Sequence, residues 1–69
     1  MTFRRYINMR RVTRSPMGDF VADAKRDARM PDVETWDSLE TYLSNRHACP
    51  EAIAAARRVW SGYRMAVSS

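Results

Sequence analysis

The segment FRRYINMRRVTR, residues 3–14, contains five arginines and no acidic side chain, a composition suited to binding an anion. A guanidinium group can form two parallel hydrogen bonds with a phosphate, and arginine supplies eleven of the twelve basic residues in the chain. Further arginines near the other end of the chain would extend this surface if the first and last helices are neighbours. The sequence therefore predicts an anion or nucleic-acid surface, whose candidate residues are Arg4, Arg5, Arg11, Arg14, Arg57 and Arg58.

The opposite charge is concentrated in residues 32–40, where every ionisable side chain is acidic. The spacing of these acids does not match the loop of an EF-hand, so we interpret them as a solvated edge rather than as a metal site. Such an edge could bind the basic last helix of a second copy, in a heterologous contact that can propagate into chains. The predicted acidic interaction edge comprises Asp32, Glu34, Asp37 and Glu40.

Nucleophilic catalysis would require a cysteine thiolate beside a base, and Cys49 lies two residues from His47. The simpler interpretation is that Cys49 is a partly buried residue preceding a helix that begins at Pro50, and that His47 is a solvated loop residue. One cysteine and one histidine also fall short of the four ligands of a usual zinc site. We therefore predict no enzyme activity, no catalytic residues, no metal site and no cofactor.

Aromatic side chains could stack on bases in a protein that binds single-stranded nucleic acid. In this sequence they fall instead on apolar stripes with helical spacing, and a chain of 69 residues needs their large apolar area for its core. We therefore assign five of them to core packing: Tyr6, Trp36, Tyr42, Trp60 and Tyr63.

Four predicted helices must position these residues, and each begins at an identifiable signal. Thr2, Ser15 and Thr35 are predicted N-caps, because a hydroxyl oxygen can accept a hydrogen bond from a free amide of the first turn. Pro16 and Pro50 suit first-turn positions, where the amide hydrogen that proline lacks is not needed. The predicted helices cover residues 3–10, 16–28, 36–45 and 50–65.

Each predicted helix carries apolar residues at the i, i+3, i+4 spacing that places them on one face. No linker or internal repeat divides the chain, so we expect one all-α domain over residues 1–65 and a frayed tail over residues 66–69. The predicted core positions are Phe3, Tyr6, Ile7, Met17, Phe20, Val21, Ala24, Ala28, Trp36, Leu39, Tyr42, Leu43, Ile53, Ala56, Trp60 and Tyr63.

Charge and composition narrow the class of partner. The net charge of +4 makes an anionic partner plausible, although charge bears on association rather than on fold. No run approaches the roughly 18 apolar residues of a membrane span, and no apolar leader is recognisable. The single cysteine allows no internal disulfide, so an oxidising compartment is not required. We expect a cytoplasmic protein without a membrane partner.

Five segments of the sequence occur in the same order and at nearly the same spacing as motifs of the YozE family of small bacterial proteins. FRRYINMR resembles the opening of that family, SPMGDFV its Asp-Pro-x-x-x-Phe-Ala segment, and DARMP its Asp-His-x-Phe-Pro segment. WDSLETYL and VWSGY resemble its later aromatic motifs. The matching positions are Phe3, Tyr6, Ile7, Arg10, Pro16, Phe20, Asp27, Pro31, Trp36, Leu39, Tyr42, Leu43, Trp60 and Tyr63.

The resemblance implies a sterile-alpha-motif-like (SAM-like) bundle of four or five helices and no known enzyme activity. The chain departs from the family pattern at Ala28 and Met30, so no role of the family's histidine transfers to position 28. Nearly all matching residues are core types, and a fold does not by itself define a function. We expect a non-enzymatic binding module for protein interaction or self-association, with nucleic-acid backbone binding as the alternative, and no small-molecule substrate.

Overall fold

Four α-helices make up the computed structural model, which describes residues 1–68. Helix α4 packs against the other three helices, and α1 also packs against α2. The radius of gyration is 10.9 Å, close to the ~11 Å expected for a compact globule of this length. The predicted all-α bundle is confirmed, with no strand in the described range. The helices are α1 (Phe3–Met9), α2 (Pro16–Arg26), α3 (Trp36–Asn45) and α4 (Pro50–Ser68).

The three predicted N-caps are confirmed. Thr2, Ser15 and Thr35 have extended backbone conformations, and the side-chain oxygen of each accepts a hydrogen bond from the amide three residues ahead. The distance is 3.1 Å in all three cases. Each cap satisfies an amide that the helix itself leaves without a partner, so the first three helices begin where the sequence predicts.

An aromatic cluster joins α1 to α4 in the core. The ring centroid of Phe3 lies 5.0 Å from that of Trp60 and 5.3 Å from that of Tyr63. The Tyr63 hydroxyl also donates a hydrogen bond of 3.1 Å to the Met1 carbonyl. The first and last helices are therefore neighbours, as the predicted basic surface requires. The buried hydrophobic residues are Phe3, Ile7, Phe20, Val21, Ala24, Met30, Val33, Leu39, Ala55, Ala56, Val59, Trp60 and Tyr63.

Three helix ends differ from the predictions, and α1 ends one residue early, at Met9. Helix α2 ends at Arg26 because the Asp27 carboxylate accepts a hydrogen bond of 3.0 Å from the Arg29 amide, which turns the chain away from the helix. Ala28 is consequently exposed, and its predicted place in the core is wrong. Helix α4 continues through Ser68, beyond its predicted end near residue 65, while Ser69 lies outside the described residues.

The α1–α2 loop packs closely on one face of α2. Gly18 is buried there, and a Cβ atom at this position would overlap the Thr13 carbonyl. The Lys25 ammonium, two turns further along the same face, donates a hydrogen bond of 2.6 Å to the Arg10 carbonyl. Glycine at position 18 is therefore required by a close backbone approach.

Candidate functional site

Arg4, one of the predicted anion-binding residues, is engaged within the fold. Its side chain is half-buried and donates a hydrogen bond to the Met30 carbonyl, in the connector between α2 and α3. Its Nε atom also lies 3.9 Å from Oδ1 of Asp32, a member of the predicted acidic edge. The two predicted charged surfaces therefore meet at this point, and part of the charge of each is used to attach α1 to the connector.

Arg57 also contacts the part of the molecule that carries the acidic edge. Its guanidinium carbon lies 5.0 Å from the ring centroid of Trp36, in the geometry of a cation–π contact. Both residues and Glu40 line a shallow depression between α3 and α4, with a volume of about 430 Å³. Arg57 therefore faces α3, whereas Arg4 faces the connector.

The other predicted charged residues lie on the surface. Neighbouring positions on a helix differ in direction by about 100°, so Arg58 does not share the direction of Arg57. Arg4 and Arg57 therefore have different partners, the Met30 carbonyl and the Trp36 ring, and these do not form one common contact. The predicted arginines that are exposed are Arg5, Arg11, Arg14, Arg57 and Arg58, and the exposed acids of the predicted edge are Asp32, Glu34, Asp37 and Glu40.

Arg10 is half-buried against α1 rather than directed into solvent. It donates a hydrogen bond of 2.8 Å to the Tyr6 hydroxyl, and its guanidinium carbon lies 5.5 Å from the Tyr6 ring centroid. The stem of the side chain thus packs along the aromatic residue one turn earlier, as expected for a long basic side chain at the edge of a core.

A polar cluster that the sequence did not reveal joins α2 to α3. The Asp27 carboxylate accepts hydrogen bonds from the Tyr42 hydroxyl and from the Arg46 guanidinium. Arg46 also donates a hydrogen bond of 2.7 Å to the Tyr42 hydroxyl, one turn earlier on α3. The Asp27 side chain is only 15% exposed, so these hydrogen bonds compensate for the loss of water around the carboxylate.

The hydrogen bonds determine the charge state of the cluster. The Tyr42 hydroxyl is the largest factor that lowers the pKa of Asp27. The Arg29 amide and Arg46 lower this pKa further, against the opposite effect of burial. Tyr42 and Asp27 in turn raise the pKa of Arg46. The cluster is therefore an ion pair at neutral pH, with a phenol hydrogen-bonded to both charged groups.

The cluster forms one side of a groove bounded by α2, the end of α3 and the first turn of α4. The groove has a volume of about 660 Å³. The groove is lined by four carboxylates and two guanidinium groups, a net charge of −2 on a chain whose total is +4. The apolar lining is Pro16, Phe20, Ala24, Met30, Leu43, Ala48 and Ala52, and the charged residues are Asp19, Asp23, Arg26, Asp27, Arg46 and Glu51.

The turn after α3 shapes another wall of the groove. His47 has a positive φ of 60°, a conformation that glycine adopts more easily than histidine. The amides of His47 and Ala48 donate hydrogen bonds of 3.0 Å to the carbonyls of Ser44 and Leu43, respectively. This is a Schellman motif, which brings the residue after the turn back to the end of the helix. Ala48 and Leu43 consequently line the groove together.

Sequence signals identify the members of the Asp27–Tyr42–Arg46 cluster only in part. Asp27 and Tyr42 belong to the motifs that carry the family resemblance, but those motifs do not mark either residue as part of a site. Tyr42 on α3 and Arg46, the residue that caps the end of α3, are four residues apart, a spacing that can bring two side chains together. The contact with Asp27 spans 15 residues, and no local rule predicts it.

Cys49 also lines the groove and is exposed, so the predicted partial burial is wrong. His47 is exposed in a turn, as predicted. Within residues 1–68, no three or more His, Cys, Asp or Glu side chains are grouped in a way that could hold a metal ion. The helices of the same range also include none that is both long enough and apolar enough to cross a membrane.

A comparison with protein families matches residues 2–65 to the YozE SAM-like fold. The match includes α1, α2 and α3 completely and most of α4. The chain belongs to this family. Both the YozE resemblance and the predicted SAM-like bundle are thereby confirmed. No match was found among curated proteins or among solved structures. Membership of the YozE SAM-like family establishes the fold but does not define a function.

Proposed function

We propose that this YozE SAM-like domain is a non-enzymatic protein-interaction module whose partner binds in the groove between α2, α3 and α4. The observation that carries the proposal is the combination of an apolar lining with charged side chains. Protein interfaces commonly have an apolar centre that supplies binding energy and a polar rim that selects the partner. The net negative charge of the groove favours a partner segment that is basic and carries large apolar side chains.

The contacts of Arg4 and Arg57 favour this function over binding to a nucleic-acid backbone. Each of these arginines already has a partner within the chain, which reduces the number of free cations available to phosphates. Arg5, Arg11, Arg14 and Arg58 are exposed, however, and they support nucleic-acid binding as the second candidate function. A cytoplasmic location is also part of the proposal, because a chain with one cysteine needs no oxidising compartment to fold.

Two-dimensional NMR can compare the candidate functions directly. An isotope-labelled domain is titrated with a short amphipathic peptide of lysine and leucine, and separately with a short DNA duplex. We expect the peptide to shift the amide signals of Phe20, Leu43, Ala48 and Ala52, which line the groove. A peptide in which glutamate replaces lysine is the matched control and should bind more weakly, because the groove has a net negative charge.

Signals that shift only with the duplex, at Arg5, Arg11, Arg14 and Arg58, would instead support nucleic-acid binding. That binding should weaken steeply as salt concentration rises, because phosphate contacts release counterions. If the lysine and leucine peptide leaves the groove signals unchanged, the proposed function is incorrect.

A further inference from the structure

The groove and the α1–α2 loop lie on opposite faces of α2. The loop covers Gly18, whereas Phe20 and Asp27 line the groove. Two residues of helix turn the direction of a side chain by about 200°, so Gly18 and Phe20 point almost oppositely. The loop is therefore on the far side of α2 from the groove of its own molecule, although both surfaces are present on every copy.

The end of α1 and the loop expose large apolar side chains among arginines. Met9 is 70% exposed and Val12 is 53% exposed, whereas most other large apolar residues of the chain are buried or half-buried. Arg11 and Arg14 are exposed beside them, and residues 3–14 contain no acid. Residues 9–14, here called the basic segment, thus combine two apolar side chains with free positive charge.

The basic segment and the groove have complementary chemistry. The groove offers apolar side chains together with charged ones whose net charge is −2. Within residues 1–68 neither Asp19 nor Glu51, both lining the groove, forms an ion pair, so both carboxylates are available to a partner. In the predicted acidic edge, by contrast, Asp32 already lies near Arg4 of the same chain.

We infer that the groove of one copy binds the basic segment of a second copy. This inference rests on the proposed function of the groove and names its occupant. Met9 and Val12 enter the apolar part of the groove, while Arg11 and Arg14 approach Asp19 and Glu51. Because the two surfaces of each copy lie on opposite faces of α2, the contact is heterologous, and a series of such contacts extends as a chain.

Sedimentation velocity of charge-reversed variants tests this contact. The segment variant carries Arg11→Glu and Arg14→Glu, and the groove variant carries Asp19→Lys and Glu51→Lys. The wild-type chain should sediment faster as its concentration rises, and each variant should lower the association constant about tenfold or more, because like charges then face each other. An equimolar mixture of the two variants should restore association, since each then meets a surface of opposite charge.

Two matched controls carry the same changes of charge elsewhere. Glu34→Lys with Asp37→Lys reverses two acids outside the groove, and Asp37 occupies a first helical turn as Asp19 and Glu51 do. The second control combines Arg58→Glu with Arg64→Glu on the exposed surface of α4. Both controls should associate like the wild type, and thermal melts should show that all variants are folded.

The inference fails if the wild-type chain remains a monomer up to about millimolar concentration, a range that would detect even weak association. It also fails if the controls impair association as strongly as the two test variants, or if the mixture does not associate. A monomeric wild-type chain whose groove still binds the lysine and leucine peptide would exclude the second copy as occupant while leaving the proposed function intact.

Discussion

Tyr42 donates a hydrogen bond to Asp27, and this contact ties the second half of α3 to the end of α2. Both residues line the groove, so the contact sets the separation of two of its walls. The hydroxyl of Tyr42 also accepts a hydrogen bond from Arg46, which holds the phenol in place relative to the carboxylate. The shape of the groove therefore depends on a small polar cluster at its side.

Replacing Tyr42 with phenylalanine should destabilise the fold without creating a cavity. The variant keeps the half-buried ring but removes the hydroxyl that Asp27 and Arg46 share. We expect the free energy of unfolding to fall by about 1.5–3 kcal/mol, the usual effect of losing a hydrogen bond to a charged group. Urea denaturation measures this change. Tyr63→Phe is a matched control that removes only the hydrogen bond to the Met1 carbonyl. An equal loss of stability in the two variants would show that the Asp27 contact contributes no more than this bond.

The lowered pKa of Asp27 should make stability depend on acidity. Its ordinary value is 3.8, and the folded-state pKa lies below this value. As pH falls, the unfolded chain therefore takes up a proton before the folded chain does, so stability decreases. The contribution of Asp27 should be complete at neutral pH and disappear as pH falls through the folded-state pKa.

The advantage of the wild-type chain over Asp27→Asn, measured by urea denaturation at several pH values, should accordingly shrink below pH 3.8. Tyr42→Phe should reduce this pH dependence, because Tyr42 is the largest factor in the shift. A difference between wild type and Asp27→Asn that stays constant down to pH 2 would contradict the prediction.

Glycine at position 47 should stabilise the protein. His47 adopts the left-handed conformation required at the end of α3, which is costly for a residue with a side chain. We expect His47→Gly to raise the free energy of unfolding by about 0.5–1 kcal/mol. This is the net value, after subtraction of the entropy that glycine gains in the unfolded chain. Thermal denaturation checks the sign. Asn45→Gly, within α3, should be destabilising, so stabilisation by both variants would refute the conformational explanation.

Alanine at position 18 should destabilise the protein, although alanine normally favours a helix over glycine. The added methyl group would overlap the Thr13 carbonyl and force the α1–α2 loop away from α2. We expect a loss of about 1–3 kcal/mol, the usual range for overpacking.

Gly62→Ala is the matched control for the change at position 18. Its methyl group would approach the Tyr6 hydroxyl at 2.8 Å and the Arg10 guanidinium at 4.0 Å, and both are ends of side chains, which can move more easily than backbone. Chemical denaturation should therefore show a smaller loss for Gly62→Ala. An equal loss at both positions would indicate that backbone contact at Gly18 is not the cause.

The parts of the fold that depend on residues close together in the sequence were predictable. Thr2, Ser15 and Thr35 cap their helices because each acts on an amide only three residues away. Phe20 and Leu39 belong to stripes whose helical spacing is visible in the sequence, and both are buried. The first three helix starts and most of the core follow from such local rules.

Other features depend on contacts between distant parts of the chain. Met30 and Val33 are buried in a connector without helical spacing, so no periodic pattern marks them as core. The side-chain directions on the charged surfaces could not be predicted either, because composition shows how many arginines the chain has but not where each one points. Arg4 joins the connector and Arg57 covers Trp36, and both arrangements arise only when helices pack.

The packing of α1 on α4 determines the stage of synthesis at which the domain can fold. A helix of seven residues has too few hydrogen bonds to persist alone in water, and Phe3 finds its aromatic partners only at Trp60 and Tyr63. A growing chain therefore cannot complete its core until nearly all of α4 has emerged from the ribosome. The domain should fold only after that point, in one step that involves its first and last helices together.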